Sequence, residues 1–275
     1  MNYVANVLRG FTKSPNTSIV SKVIGFWALF WLILAGLRIV QLSSLGSAAA
    51  PIAAGTTIML TLTLIAGLLR IDGGSLHEIG LSLKVRKSLG QFVLGVGLGV
   101  AVVAGMFLLL LLLTPLEINA STNRNILAVL GASFVVLFVL ALMEELAFRS
   151  YSLFRLRQVW GTRSAIYITS IAFAFYHGFA FGNLLGPGVW GLFYGYMAVS
   201  TNSIALPTGF HVGLNWLQAL MGMKPRYSGS IWELSIGTSS DQFDVETFGL
   251  SMQMVLLVIG IVIVEVLVRK QRDRT

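Results

Sequence analysis

ILAVLGASFVVLFVLALMEELAFR, residues 126–149, is the stretch whose reading decides the fold. From Ile126 to Met143 it holds no charge, and then it places two glutamates side by side, Glu144 and Glu145. A run of that length and apolarity is a membrane helix. A carboxylate inside such a helix costs about 2.5–3.5 kcal/mol on insertion scales, so ionisable residues at that depth mark function by default. Two of the three histidines, His177 and His211, also lie in apolar segments. An acid and two imidazoles at membrane depth point to proton-transfer chemistry inside the bilayer.

The rest of the chain agrees with this reading. It is 56% hydrophobic and 11% charged, with mean hydropathy +0.82. Soluble domains carry about 25% charged residues. The expected fold is therefore all-α: a polytopic membrane protein, a bundle of about eight transmembrane helices of ~20 residues each. Apolar runs place the spans near 19–41, 47–69, 90–114, 126–156, 163–181, 187–206, 207–223 and 251–268. The fourth is too long for one crossing, so its C-terminal end should leave the bilayer. The seventh is short and starts at Pro207. The expected organisation is an N-terminal tail (1–18), one transmembrane domain (19–268) with its core at about 126–222, and a basic tail (269–275).

A net charge of +8 brings nucleic acid to mind, but its placement excludes that partner. Arg9, Lys13 and Lys22 precede the first span. Arg70, Lys84, Arg86 and Lys87 follow the second, Arg155, Arg157 and Arg163 the fourth, and Arg269, Lys270, Arg272 and Arg274 the eighth. With alternating spans all of these fall on one side, which the positive-inside rule makes cytoplasmic, both termini included. The chain has no cysteine. That removes disulfides, thiolate ligands and cysteine nucleophiles, and it is compatible with a bacterial inner membrane. Glycines at small-xxx-small spacing (Gly95, Gly97 and Gly99; Gly191 and Gly195) read as close helix packing within one bundle, with a dimer face as the alternative. Ser228–Gly249, polar and acidic, reads as a plain loop rather than a lid.

Three patterns carry chemistry. In Glu144-Glu145-Leu-Ala-Phe-Arg149, Glu145 and Arg149 are four apart and pair on one helix face. Glu144 lies about 100° round the helix, outside that pair, as a desolvated carboxyl suited to general acid or base work. The plain alternative is a structural ion pair at a helix end. In Phe173-Ala-Phe-Tyr-His177, the histidine stands almost as far after the turn signal Trp160-Gly161-Thr162 as Glu144 stands before it, 16 and 17 residues from Gly161. An antiparallel hairpin puts the two at one depth; alone, His177 reads as a satisfied interior histidine. In His211-Val-Gly-Leu-Asn215, imidazole and amide share a face one turn apart. Both can donate to an oxyanion; interhelical hydrogen bonding is the alternative. Gly209 and Gly213 flank His211 and allow close backbone approach.

Together the three patterns resemble those of the CPBP (ABI) family of intramembrane proteases, which includes the type II CAAX prenyl endopeptidases: EExxxR, then FxxxH, then HxxxN on successive helices of an eight-helix bundle. The resemblance covers roughly 126–222, and Leu76-His-Glu-Ile-Gly-Leu81 resembles the family's connecting segment. It implies an endopeptidase acting on a membrane-associated protein or peptide, prenylated or not. It implies that Glu144 and His177 activate water, that His211 and Asn215 form an oxyanion hole, and that Glu145, Arg149 and Phe173 support the site. It requires no cofactor; a zinc version of the same site would use Glu144, His177 and His211.

Other proteolytic chemistries fit poorly. A zinc HExxH site begins at His77-Glu78 but has Leu81 where the second histidine belongs. All four aspartates lie in loops or tails. A GxSG serine motif fails at Gly131-Ala132-Ser133-Phe134. Outside proteolysis, two readings remain: a non-catalytic membrane partner, such as a bacteriocin self-immunity or scaffold protein, and a proton-coupled transporter. The second lacks the internal repeat that would support it.

Overall fold

A computed structural model describes residues 15–40, 49–82, 84–121, 125–224, 229–236 and 245–273. In chain order these form α1 (Pro15–Val40), α2 (Ala49–Asp72), a 3-10 turn (Leu76–Ile79), α3 (Val85–Leu113), β1 (Leu116–Ala120), α4 (Ile126–Arg149), α5 (Tyr151–His177), α6 (Phe181–Thr201), α7 (Ala205–Leu220), β2 (Trp232–Ile236) and α8 (Val245–Arg272). The chain is an all-α polytopic membrane protein. In lipid every backbone polar group must bond within its own segment, and helices meet that demand. Most of the 1–18 tail lies outside the described residues, and α1 already begins at Pro15. At the other end α8 continues to Arg272, so most of the basic 269–275 tail is helix, with 274–275 outside the described residues.

Among the described residues five segments are long and apolar enough to cross a membrane: Ser18–Leu37, Ile52–Asp72, Val85–Leu113, Ile126–His177 and Thr247–Lys270. The fourth runs through α4 and α5 together, which covers two of the expected spans. The expected spans 187–206 and 207–223 do not meet the measure. Their counterparts, α6 and α7, are interior helices. The 16 residues of α7 extend only about 24 Å, short of a ~30 Å hydrocarbon core. Its residues Pro207 to Leu214 are buried without a break. Protein, not lipid, surrounds α7 there, so nothing requires it to match the bilayer's thickness.

The overlong fourth segment breaks at two places. Ser150 leaves helical geometry (φ −93°, ψ −108°), and its hydroxyl turns back to the Leu146 carbonyl. Gly161 takes φ 76°, ψ 171° inside α5, a conformation open to glycine and strained for other residues. The turn read at Trp160–Thr162 is therefore present, with residues 162–177 returning from it.

The most extensive packing joins α3 to α7. Each helix presents two glycines to the other. A methyl on Gly209 or Gly213 would stand 2.0 or 2.2 Å from the carbonyl oxygens of Phe92 and Val96. A methyl on Gly95 or Gly99 would stand 2.3 Å from those of Leu206 and Phe210. Gly97 faces open space. Thus the close approach permitted by the glycines beside His211 is used by α3, within one bundle. In α6, Gly191 lies against Ser170 and Arg149, and Gly195 against Ile166.

Two short strands were not expected. β2 pairs antiparallel with β1, Leu116 opposite Ile236 and Ala120 opposite Trp232. The Ile231 amide also donates to the Leu220 carbonyl at the end of α7 (3.0 Å). Part of the expected 228–249 loop is therefore a strand that ties the exit of α7 to the segment after α3. Residues 228 and 237–244 lie outside the described residues.

Candidate active site

Glu144 and Glu145 close α4 one turn before its break, and adjacent positions on a helix point in different directions. Glu145 is fully buried. Its Oε2 lies 3.9 Å from Nε of Arg149, one turn on and equally buried. Its Oε1 accepts a hydrogen from Nδ1 of His211 at 3.0 Å. Arg149 in turn donates to the carbonyls of Thr169 (3.4 Å) and Gly191 (3.3 Å). The guanidinium lies 4.8 Å from the Phe173 ring centre. A side chain at Gly191 would meet Nη2 at 3.1 Å, so the glycine leaves room for the arginine.

Glu144 sits outside that pair and keeps slight exposure. Its Oε2 lies 3.9 Å from Nε2 of His177 and 3.6 Å from Nε2 of His211. The first distance meets the matched-depth expectation. Nδ1 of His177 bonds the Phe173 carbonyl at 2.9 Å. A carbonyl only accepts, so Nδ1 carries the hydrogen and Nε2 is turned toward Glu144. Phe173 meets the His177 ring edge-on with centroids 4.6 Å apart, and stands edge-on to His211 at 5.9 Å. It is the buried wedge between the two imidazoles and the arginine.

His211 departs from the simplest reading of its motif. Rather than facing a cavity with Asn215 alone, it is held between both carboxylates. An ionised Glu145 can only accept, so Nδ1–H serves it, and Nε2 faces Glu144. Asn215, one turn further along α7, has its Oδ1 bonded by the Lys224 ammonium at 2.9 Å.

His177, His211 and Asn215 line a cavity of about 210 Å³ together with Phe173, Trp190 and Tyr194, and Gln218, Lys224 and Gln253 add polar groups. Two participants escaped the sequence reading. Tyr194 stacks on His211 with centroids 4.6 Å apart and planes 21° from parallel. Its only signal was an aromatic set between Gly191 and Gly195. Lys224 follows the apolar run that ends at Met223, with Arg226 two residues on, and it reads from sequence as an ordinary loop lysine. Burial holds its ammonium below the usual lysine range, and the Glu144 charge opposes that shift.

Among the described residues, no group of three or more His, Asp or Glu side chains is arranged to hold a metal ion. The set named for zinc, Glu144, His177 and His211, converges without forming such a group. The near-miss motifs are structural. Ser133 is buried, donates to the Val129 carbonyl and accepts from Trp216 Nε1. His77 is exposed in its 3-10 turn, and Glu78 beside it bonds Ser75 and pairs with Arg155.

Residues 126–217 match the family model Type II CAAX prenyl endopeptidase Rce1-like. The match spans about a third of the chain, from the first residue of α4 to the last turn of α7, and contains all three patterns. That segment is thus similar to the CAAX-protease family, and it supplies most of the cavity's lining. Comparison with curated proteins and with solved structures returns no match.

Proposed function

We propose that this protein is an intramembrane endopeptidase of the CAAX-protease type, which hydrolyses a peptide bond of a membrane-associated protein or peptide with water activated by Glu144 and His177. The observation that carries the reading is the 3.9 Å gap between Glu144 Oε2 and His177 Nε2 beside the cavity. A water 2.8 Å from each, an ordinary hydrogen-bond distance, bridges such a gap. The match to the CAAX-protease model over the same segment supports the reaction class.

The steps follow from the donors and acceptors. The bridged water attacks the scissile carbonyl carbon while its proton passes to the Glu144 carboxylate. The carbonyl oxygen becomes an oxyanion, which accepts from the Asn215 amide and, when His211 carries hydrogens on both nitrogens, from its Nε2. One such donor is worth about 2.7–4 kcal/mol at the transition state. Collapse breaks the C–N bond, and Glu144 returns the proton to the leaving amine. Glu145, Arg149 and Phe173 hold His211 and Glu144 in register. No step calls for a metal. The bilayer of a bacterial inner membrane, with both chain ends in the cytoplasm, is the proposed setting.

The test compares membrane-proteome termini in cells carrying the native protein and cells carrying Glu144→Gln. The substitution keeps shape and removes the base. Uncleaved substrates accumulating with the variant are expected. Identical termini, with the protein's cellular phenotype retained, would sink proteolysis and leave a non-catalytic membrane partner.

A further inference from the structure

Asparagine presents two ends of nearly identical shape, and only Nδ2 can donate. Whether Asn215 serves an oxyanion therefore depends on which end faces the cavity. The Lys224 ammonium donates and never accepts, and it stands 2.9 Å from the Asn215 amide. That contact requires Oδ1 on the lysine side and leaves Nδ2 for the cavity, where it has no acceptor among the described residues. We infer that Lys224 is a positioning residue of the site, locking the Asn215 amide with its N–H groups toward the substrate carbonyl.

The local fold brings the lysine there. After Leu220 the chain turns at Gly222, which takes φ 80° and lies under the Trp232 carbonyl. The Met223 amide caps the Gln218 carbonyl, and β2 is tied to the helix end through Ile231. The reversal lets the Lys224 side chain reach back to a residue nine positions earlier. A cation on Oδ1 also draws electron density from the amide, and a polarised donor binds an anion more strongly. Among the described residues no carboxylate lies within ion-pair distance of Lys224, so its hydrogen bond to Asn215 is not diverted into a salt bridge.

This inference rests on the proteolytic reading, and the two can fail separately. The probe is the full-length protein in detergent micelles, labelled with 15N-asparagine. The Asn215 side-chain amide signal is identified by its loss in Asn215→Ala. It should move in Lys224→Met and return toward its native position in Lys224→Arg, while the other asparagine signals stay in place and report an intact fold. In cells, Lys224→Met should slow formation of the termini that Glu144→Gln abolishes, by about tenfold, less than the loss of a whole oxyanion donor. Lys224→Arg should restore most of that rate. An unmoved Asn215 signal in Lys224→Met would overturn the inference. So would a moved signal with native cleavage while Glu144→Gln abolishes it. If Glu144→Gln itself changes no terminus, the catalytic role falls with the proteolytic reading, although the amide shift would persist.

Discussion

At the scale of the residue, the site is a chain of obligate donors and acceptors. Arg149 carries a charge in a fully buried place, and Glu145 neutralises it while also taking the Nδ1 hydrogen of His211. Removing one partner of a buried pair leaves an uncompensated charge, which costs about 3–5 kcal/mol. Arg149→Leu should therefore lower stability by that order, read as a fall in the unfolding midpoint in detergent. Adding Glu145→Gln to Arg149→Leu should recover part of the loss, because the stranded charge goes and an amide carbonyl still accepts from His211. A double variant no more stable than the single one would mean that packing against Phe173, not charge, accounts for the arginine.

At the scale of the element, α3 and α7 are clasped by four glycines whose neighbours are backbone carbonyls. Backbone cannot swing aside as a flexible side chain can, so the clasp sets the height and rotation of α7, and with them His211 and Asn215. Gly209→Ala places a methyl 2.0 Å from the Phe92 carbonyl and should separate the helices, with a lower unfolding midpoint and loss of the Glu144-dependent termini. Gly97→Ala meets nothing and should stabilise α3 by up to ~1 kcal/mol, the ordinary helix preference for alanine over glycine. Equal effects of the two would show that the clasp does not position the site.

At the scale of the whole molecule, charge placement gives a topology that can be tested because the chain lacks cysteine. Arg86→Cys, at the start of α3, should react with a membrane-impermeant maleimide only from the cytoplasmic side. Glu117→Cys, in β1 beyond the end of α3, should react only from the opposite side. Labelling of both from one side would refute the assignment of the basic loops to the cytoplasm. Interior placement of α6 and α7 makes a related point. A helix wrapped by its own protein is freed from the length and hydropathy that lipid demands, so it can carry Pro187, Tyr194, His211 and Asn215.

Much was legible in one dimension because its physics is local. Apolar runs marked helices, Gly161 marked the hairpin turn, and the four-residue spacing paired Glu145 with Arg149. The near-equal distances of Glu144 and His177 from that turn placed acid and imidazole at one depth. Each of these depends on backbone geometry that neighbouring residues settle among themselves. Tertiary structure decided the rest. It set His211 between two carboxylates, stacked Tyr194 on it, turned the glycines beside it toward α3, made a strand of residues 232–236, and brought Lys224 back onto Asn215. These contacts join residues far apart in the chain, and their partners are chosen by how helices pack and where turns reverse. No periodicity or spacing within a single segment encodes such a choice.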